Sequence, residues 1–149
     1  MSIFSAMNVS SSGMTAQRVR MDIISQNIAN VNTTRDANGN GYTRKLVVVS
    51  EAKPNSFSSI LDRSMSMRRN DVTSGVKVTQ IVEDRDSKYS KVYEPSHPDA
   101  DENGYVTYSN VNTVTEMTDM IDASRAYEAN ITAFNAAKSM AMKGLEVGK

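Results

Sequence analysis

The chain has 149 residues, of which 39% are apolar, and its 17 basic and 17 acidic side chains leave no net charge. A balanced charge gives no general attraction for nucleic acid or anionic lipid, so nucleic-acid binding is disfavoured. The absence of cysteine excludes disulfides, thiolate metal sites and cysteine nucleophiles.

The N-terminal segment, residues 1–34, predicts one long amphipathic helix from Ile3 to Val31. Four apolar residues recur along it at seven-residue intervals, which places them on one side of a helix: Met7, Met14, Met21 and Ile28. The Ser-Ser-Ser-Gly run at residues 10–13 weakens the helix locally and leaves room for a close neighbour. The segment has no basic stretch followed by a continuous apolar run, so we expect neither a Sec-type signal peptide nor a transmembrane segment.

Residues 35–109 predict a small β-rich middle segment that begins with a Gly/Asn turn. Runs of β-branched and aromatic residues predict four strands, at Tyr42–Val49, Val76–Val82, Tyr89–Tyr93 and Tyr105–Tyr108. Between the first two, residues 54–74 are mostly polar and have no clear period. This composition predicts a mobile, extended loop.

The C-terminal segment, residues 110–149, returns to a helical period from Val111 to Leu145. Asn112 or Thr113 can cap this helix, and Glu116 in its first turn complements the helix dipole. Two helices joined by a β-rich middle would most simply pair antiparallel as a coiled-coil-like layer, so the fold class is α+β. Because each helix has only one apolar stripe, two helices make a poor core and favour packing against helices of other subunits.

The predicted assembly interface follows the stripes of the two helices. On the N-terminal helix it includes the four residues of the seven-residue series together with Asn27 and Asn30. On the C-terminal helix it comprises Val114, Met117, Ile121, Arg125, Tyr127, Asn130, Ile131 and Phe134. For the polar members two interpretations stay open, because such groups either find partners in a buried seam and fix its register or simply remain exposed.

Possible catalytic and metal sites are incomplete. Residues 99–104, Asp-Ala-Asp-Glu-Asn-Gly, fit the first half of an EF-hand loop, but Asn110 stands where the bidentate Glu is needed, so we expect an ordinary turn. His97 is the only histidine and has no second His or Cys with which to share a metal. A Gly-x-Ser-x-Gly elbow is also missing. We therefore expect no enzymatic activity, no cofactor, no metal and no small-molecule substrate.

Both terminal segments contain distinctive motifs. The N-terminal segment has SGMTAQR at residues 12–18 and SQNIANVNT at residues 25–33. The C-terminal segment has NVN at 110–112, EMTDMI at 116–121 and ASRAYEAN at 123–130. In these motifs the chain resembles the axial proteins of the bacterial flagellum. The preceding HPDADENGYV at 97–106 resembles the proximal rod members in particular.

The resemblance implies a structural subunit of the proximal basal-body rod, the shaft that transmits motor torque. It further implies export through the flagellum's own type III apparatus. The implied partners are that export apparatus, copies of the chain itself and other flagellar rod proteins. The alternative, from the residues alone, is a soluble coiled-coil adaptor whose central loop captures a partner or Ca²⁺.

Overall fold

A computed structural model describes residues 3–35, 39–52 and 75–147. Two helices occupy the ends of this region, α1 at Ile3–Ala29 and α2 at Thr113–Val147. Four strands lie between them: β1 at Lys45–Glu51, β2 at Val76–Glu83, β3 at Lys91–Tyr93 and β4 at Tyr105–Thr107. The predicted α+β class, with a helix at each end and a β-rich middle, is confirmed, while the loop predicted at 54–74 lies outside the described residues.

Side chains bond the free backbone groups at the end of α1 and at the start of α2. At the end of α1, the Asn30 side-chain nitrogen donates to the Gln26 carbonyl over 2.8 Å. At the start of α2, Asn112 Oδ1 accepts hydrogen bonds from the backbone nitrogens of Val114 and Thr115 at 3.0 and 3.3 Å. Asn112 is therefore the cap of α2. In the described part of the chain, neither helix is apolar over a length that could cross a membrane.

The strands form two separate two-stranded sheets, β1 with β2 and β3 with β4. The backbone nitrogen of Asp84, just after β2, donates to the carbonyl of Arg44, just before β1, so β1 and β2 run antiparallel. β3 and β4 are also antiparallel and pair Val92 with Val106 at their centre. Val106 is fully buried, whereas β3 is exposed along its length.

The chain divides into two compact units. The first unit consists of Met1–Arg18, Val49–Thr79 and Arg125–Lys149, and the second unit of Val19–Val48 and Gln80–Ser124.

Within the first unit, the small residues of α1 admit two close neighbours. Ser12 Oγ accepts a hydrogen bond from the backbone nitrogen of Val76 at 3.1 Å, which ties the start of β2 to the helix. A Cβ atom added to Gly13 would lie 2.7 Å from the side-chain oxygen of Asn130 on α2. The small residues at 10–13 thus provide the close approach that their size predicted.

Within the second unit, α1 and α2 are antiparallel. Arg20 bonds Asp119 at 3.0 Å, and Asn27, further along α1, bonds Glu116, which lies earlier on α2. The buried side chains of this unit come from both helices and from the middle segment: Ile24, Asn27, Val106, Ser109, Glu116 and Ala123.

Candidate assembly surface

Three apolar side chains at the start of α2 face solvent. Val114 is 74% exposed, Met117 54% and Ile121 53%. At about 100° per residue these positions lie within about 60° of one another on the helix, so they form one surface, here called the α2 stripe. A contiguous exposed apolar surface is typical of a site that binds another protein.

The other predicted interface residues range from exposed to buried. Arg125 and Ile131 are exposed. Eight residues are half-buried: Met7, Met14, Met21, Ile28, Asn30, Tyr127, Asn130 and Phe134. Asn27 is buried and does not join the α2 stripe. The buried residues of α1, which are Ser10, Ala16, Ile24 and Asn27, fall outside its seven-residue apolar series.

Asn27 is saturated with hydrogen bonds inside its own chain. Its side chain is 1% exposed, and its nitrogen donates to the Lys45 carbonyl at 2.9 Å and to Glu116 Oε2 at 3.0 Å. Its oxygen accepts from the Tyr42 hydroxyl and from the Lys45 backbone nitrogen, both at 3.0 Å. Asn27 is thus buried by partners of its own chain, and its role in an interface between subunits stays a prediction.

The Glu116 carboxylate, 1% exposed, is the buried centre of an ion-pair cluster. Arg44 Nε donates to Glu116 Oε1 over 2.6 Å, and a second Arg44 nitrogen lies at the same distance from that oxygen. The Arg44 guanidinium also lies 3.4 Å from Asp119 and 3.7 Å from Asp84. These four side chains are called the Arg44 cluster below. Because every buried charge here faces an opposite charge, removing one partner would strand another, which is usually strongly destabilising.

Asn110 and its neighbours hold the middle segment against this cluster. The Asn110 side-chain oxygen accepts from the Arg44 backbone nitrogen, and its nitrogen donates to the Asp84 carbonyl, both at 2.7 Å. Hydrogen bonds from Ser87, then from the Asp86 backbone, and the Arg44 charge lower the pKa of Asp84. Burial, reinforced by the Glu116 charge, raises the pKa of the Tyr42 hydroxyl.

Sequence reasoning missed the Arg44 cluster. It assigned Glu116 only a favourable position at the helix dipole, and it did not single out Arg44 or Asp119. A signal was nevertheless available on α2, where the buried residues Glu116, Ala123 and Ala137 are separated by multiples of seven. A search restricted to apolar repeats passes over a buried face made of small and polar residues.

The segment that resembles an EF-hand folds as a turn. Asp101 Oδ1 accepts from the backbone nitrogens of Asn103 and Tyr105 at 2.8 and 2.9 Å, and Gly104 adopts a φ of 78°. His97 accepts a hydrogen bond from the Asp99 backbone nitrogen at 3.1 Å. Within the described ranges, no three His, Asp or Glu side chains are grouped so that they could hold a metal ion.

Known protein families match both ends of the chain, and known proteins match its full length. The family described as flagella basal body rod protein matches residues 7–35, and the family described as flagellar basal body rod FlgEFG protein C-terminal matches residues 102–147. The flagellar basal-body rod protein FlgC of Bacillus subtilis is 50% identical over 153 residues, with complete coverage of both chains. The chain belongs to the FlgC family of flagellar basal-body rod proteins.

Two further relatives of the same name support this assignment. FlgC of Borreliella burgdorferi is 43% identical over 99% of this chain and 98% of its own length. FlgC of Buchnera aphidicola is 35% identical, with complete coverage of both chains. The resemblance read from the sequence is confirmed, and the chain is a structural rod protein of the flagellar basal body. The two family matches fall on the segments that contain α1 and α2.

Proposed function

We propose that the chain assembles into the proximal part of the rod through its terminal segments, with the α2 stripe packing against copies of itself or other rod proteins. Residues 1–34 and 110–149 act as assembly helices, and residues 35–109 form the middle segment between them. The observation that carries the proposal is the exposure of Val114, Met117 and Ile121 on one face of a helix whose opposite face is already occupied. The remaining predicted interface residues, apart from the buried Asn27, extend the contact area.

The subunit works by assembly and not by catalysis. In the Arg44 cluster the three carboxylates all face the Arg44 guanidinium, an arrangement typical of structural ion pairs and unlike a poised acid and base. Export through the flagellar type III apparatus completes the proposal, since a rod subunit must leave the cytoplasm before it joins the shaft.

The free energy available from the stripe is modest for one subunit. Full burial of a side chain such as Val, Met or Ile contributes about 1.5–3 kcal/mol, so side chains that are 53–74% exposed contribute roughly 1–2 kcal/mol each on assembly. Contacts of this size become effective when every subunit contributes several of them at once. The stripe is thus suited to a polymer in which each copy has many neighbours.

The test is Ile121→Asp, which places a charge in the stripe without disturbing the buried face of α2. Burying an unpaired carboxylate costs several kcal/mol, and the cost recurs at every copy. Cells that carry this variant should lose rod completion and motility while still secreting the subunit.

Thr115→Asp is the matched control. Thr115 is exposed on the same helix, roughly 130° away from the stripe at about 100° per residue. The same charge at this position should leave motility close to normal, because exposed substitutions usually change stability by less than about 0.5 kcal/mol. Normal swimming by Ile121→Asp cells, with the variant present in their basal bodies, would refute the assembly role of the stripe.

A further inference from the structure

In the second unit the buried face of α2 is less apolar than its exposed face, which is the reverse of an ordinary hydrophobic core. The buried face carries Glu116 and Ala123, with the half-buried Met120 beside them. The exposed face carries Val114, Met117 and Ile121, and so has the larger apolar area. Hydrophobic stabilisation is roughly proportional to the apolar area removed from water. Burial of apolar area alone would therefore turn the exposed face toward α1. Another interaction must select the observed orientation.

We propose that the buried pair Asn27–Glu116, held by Arg44, determines which face of α2 turns inward and thereby keeps the α2 stripe available to other subunits. The choice of the inward face concerns the fold of one subunit. The availability of the stripe to other subunits rests on the assembly role proposed above. Asn27 and Glu116 are accordingly positioning residues for the stripe.

The geometry explains the selection. Glu116 and Ala123 lie roughly 130–150° from the centre of the stripe at about 100° per residue, so turning the stripe inward would carry Glu116 away from α1. Asn27 would then lose the 3.0 Å bond to Glu116, and Arg44 would lose its two 2.6 Å contacts with that carboxylate. Buried polar groups left without partners are costly, so the rotated arrangement is penalised by unsatisfied groups and not by lost packing.

The remaining contacts of α1 are fixed in place and cannot follow such a rotation. Asn27 is held to β1 through both backbone groups of Lys45, and Arg44 stays next to Asp84 through Asn110. A single buried polar residue specifies one pairing in coiled coils by the same principle, at the expense of some stability. Here the specified feature is the orientation of α2.

The chain has no cysteine, so single cysteines can report which face is buried. We would measure maleimide labelling rates of Met117→Cys and of Ala123→Cys, separately, in the full-length unassembled chain. Met117 is 54% exposed and Ala123 is fully buried, so the first reporter should react about tenfold faster or more, since labelling of the second requires local opening.

The test variants combine each reporter with Asn27→Leu/Glu116→Leu or with Glu116→Leu alone, and helical circular dichroism identifies those that fold. In a folded variant the rate ratio should fall to about one or reverse, because apolar burial now favours the stripe facing inward. The control is Asn30→Leu, which replaces an asparagine of α1 that bonds the nearby Gln26 and Thr33, and it should retain the original ratio. A folded Glu116→Leu variant with the original ratio would overturn the proposal.

The labelling result does not depend on whether the stripe functions in assembly. If the ratio reverses and the cells still swim, the choice of face stands and the proposed assembly role of the stripe falls. If Ile121→Asp abolishes motility but the ratio never changes, the assembly role stands and the selecting role of Asn27–Glu116 falls.

Discussion

Asn27→Ala should be among the most destabilising single substitutions in the second unit. The change removes four hydrogen bonds at a side chain that is 1% exposed. Glu116 keeps its contacts with Arg44, and the Tyr42 hydroxyl can turn toward solvent. The two backbone groups of Lys45 lose the partner that the structure gives them.

The magnitude follows from these two stranded groups. An unsatisfied buried donor or acceptor costs about 1–3 kcal/mol, and Lys45 is half-buried, so water recovers part of the loss. We expect the free energy of unfolding to fall by roughly 2–4 kcal/mol, a large share of the 5–15 kcal/mol typical of a folded domain. For a chain of this size the melting temperature should fall by roughly 5–15 °C.

Urea denaturation followed by circular dichroism measures this difference. The matched control is Asn30→Ala, which removes the asparagine at the end of the same helix, whose side chain bonds the nearby Gln26 and Thr33. The control should lose no more than about 1 kcal/mol, the usual worth of a net hydrogen bond. Equal losses for the two variants would refute the claim that Asn27 stabilises the second unit through its long-range partners.

Three further predictions concern other parts of the chain. Gly41→Ala would place a Cβ 3.2 Å from a backbone oxygen of β4 and should destabilise the fold by about 1–3 kcal/mol. Gly144→Ala adds a Cβ that meets no atom within 4 Å and should stabilise α2 by up to about 1 kcal/mol. Urea midpoints of the two variants that shift in the same direction would contradict this prediction. Because burial and the Glu116 charge raise the pKa of Tyr42, its contribution to stability is complete below the ordinary tyrosine pKa and is lost as the pH rises through the folded value. The difference in unfolding free energy between the wild type and Tyr42→Phe should therefore shrink above about pH 10, and parallel pH curves would disprove it. Calorimetry should detect no Ca²⁺ binding with a micromolar or tighter Kd, because Asp101 already accepts two backbone hydrogen bonds. Ca²⁺ binding of that strength that is abolished by Asp101→Ala would restore the adaptor hypothesis.

Local sequence patterns determined the elements of this protein. Sequence predicted the helices at Ile3–Val31 and Val111–Leu145, and the structure has them at Ile3–Ala29 and Thr113–Val147. The end of α1 and both ends of α2 differ from the prediction by two residues. The four strands also lie where β-branched and aromatic residues predicted them, although β1 begins at Lys45 and not at Tyr42. The terminal motifs identified the family. These features are available from sequence because periodicity, capping and composition act over a few neighbouring residues.

The tertiary structure decided which side chains those elements bury. Charged residues such as Arg44 and Glu116 usually remain at the surface, and nothing within a few positions of either indicates the other, 72 residues away. Their burial depends on the long-range pairing that brings the end of α1, the start of β1 and the first turns of α2 together. The same pairing decides that the apolar residues of the α2 stripe face outward, because a buried hydrogen-bond network can outweigh apolar burial only once all of its partners are in place.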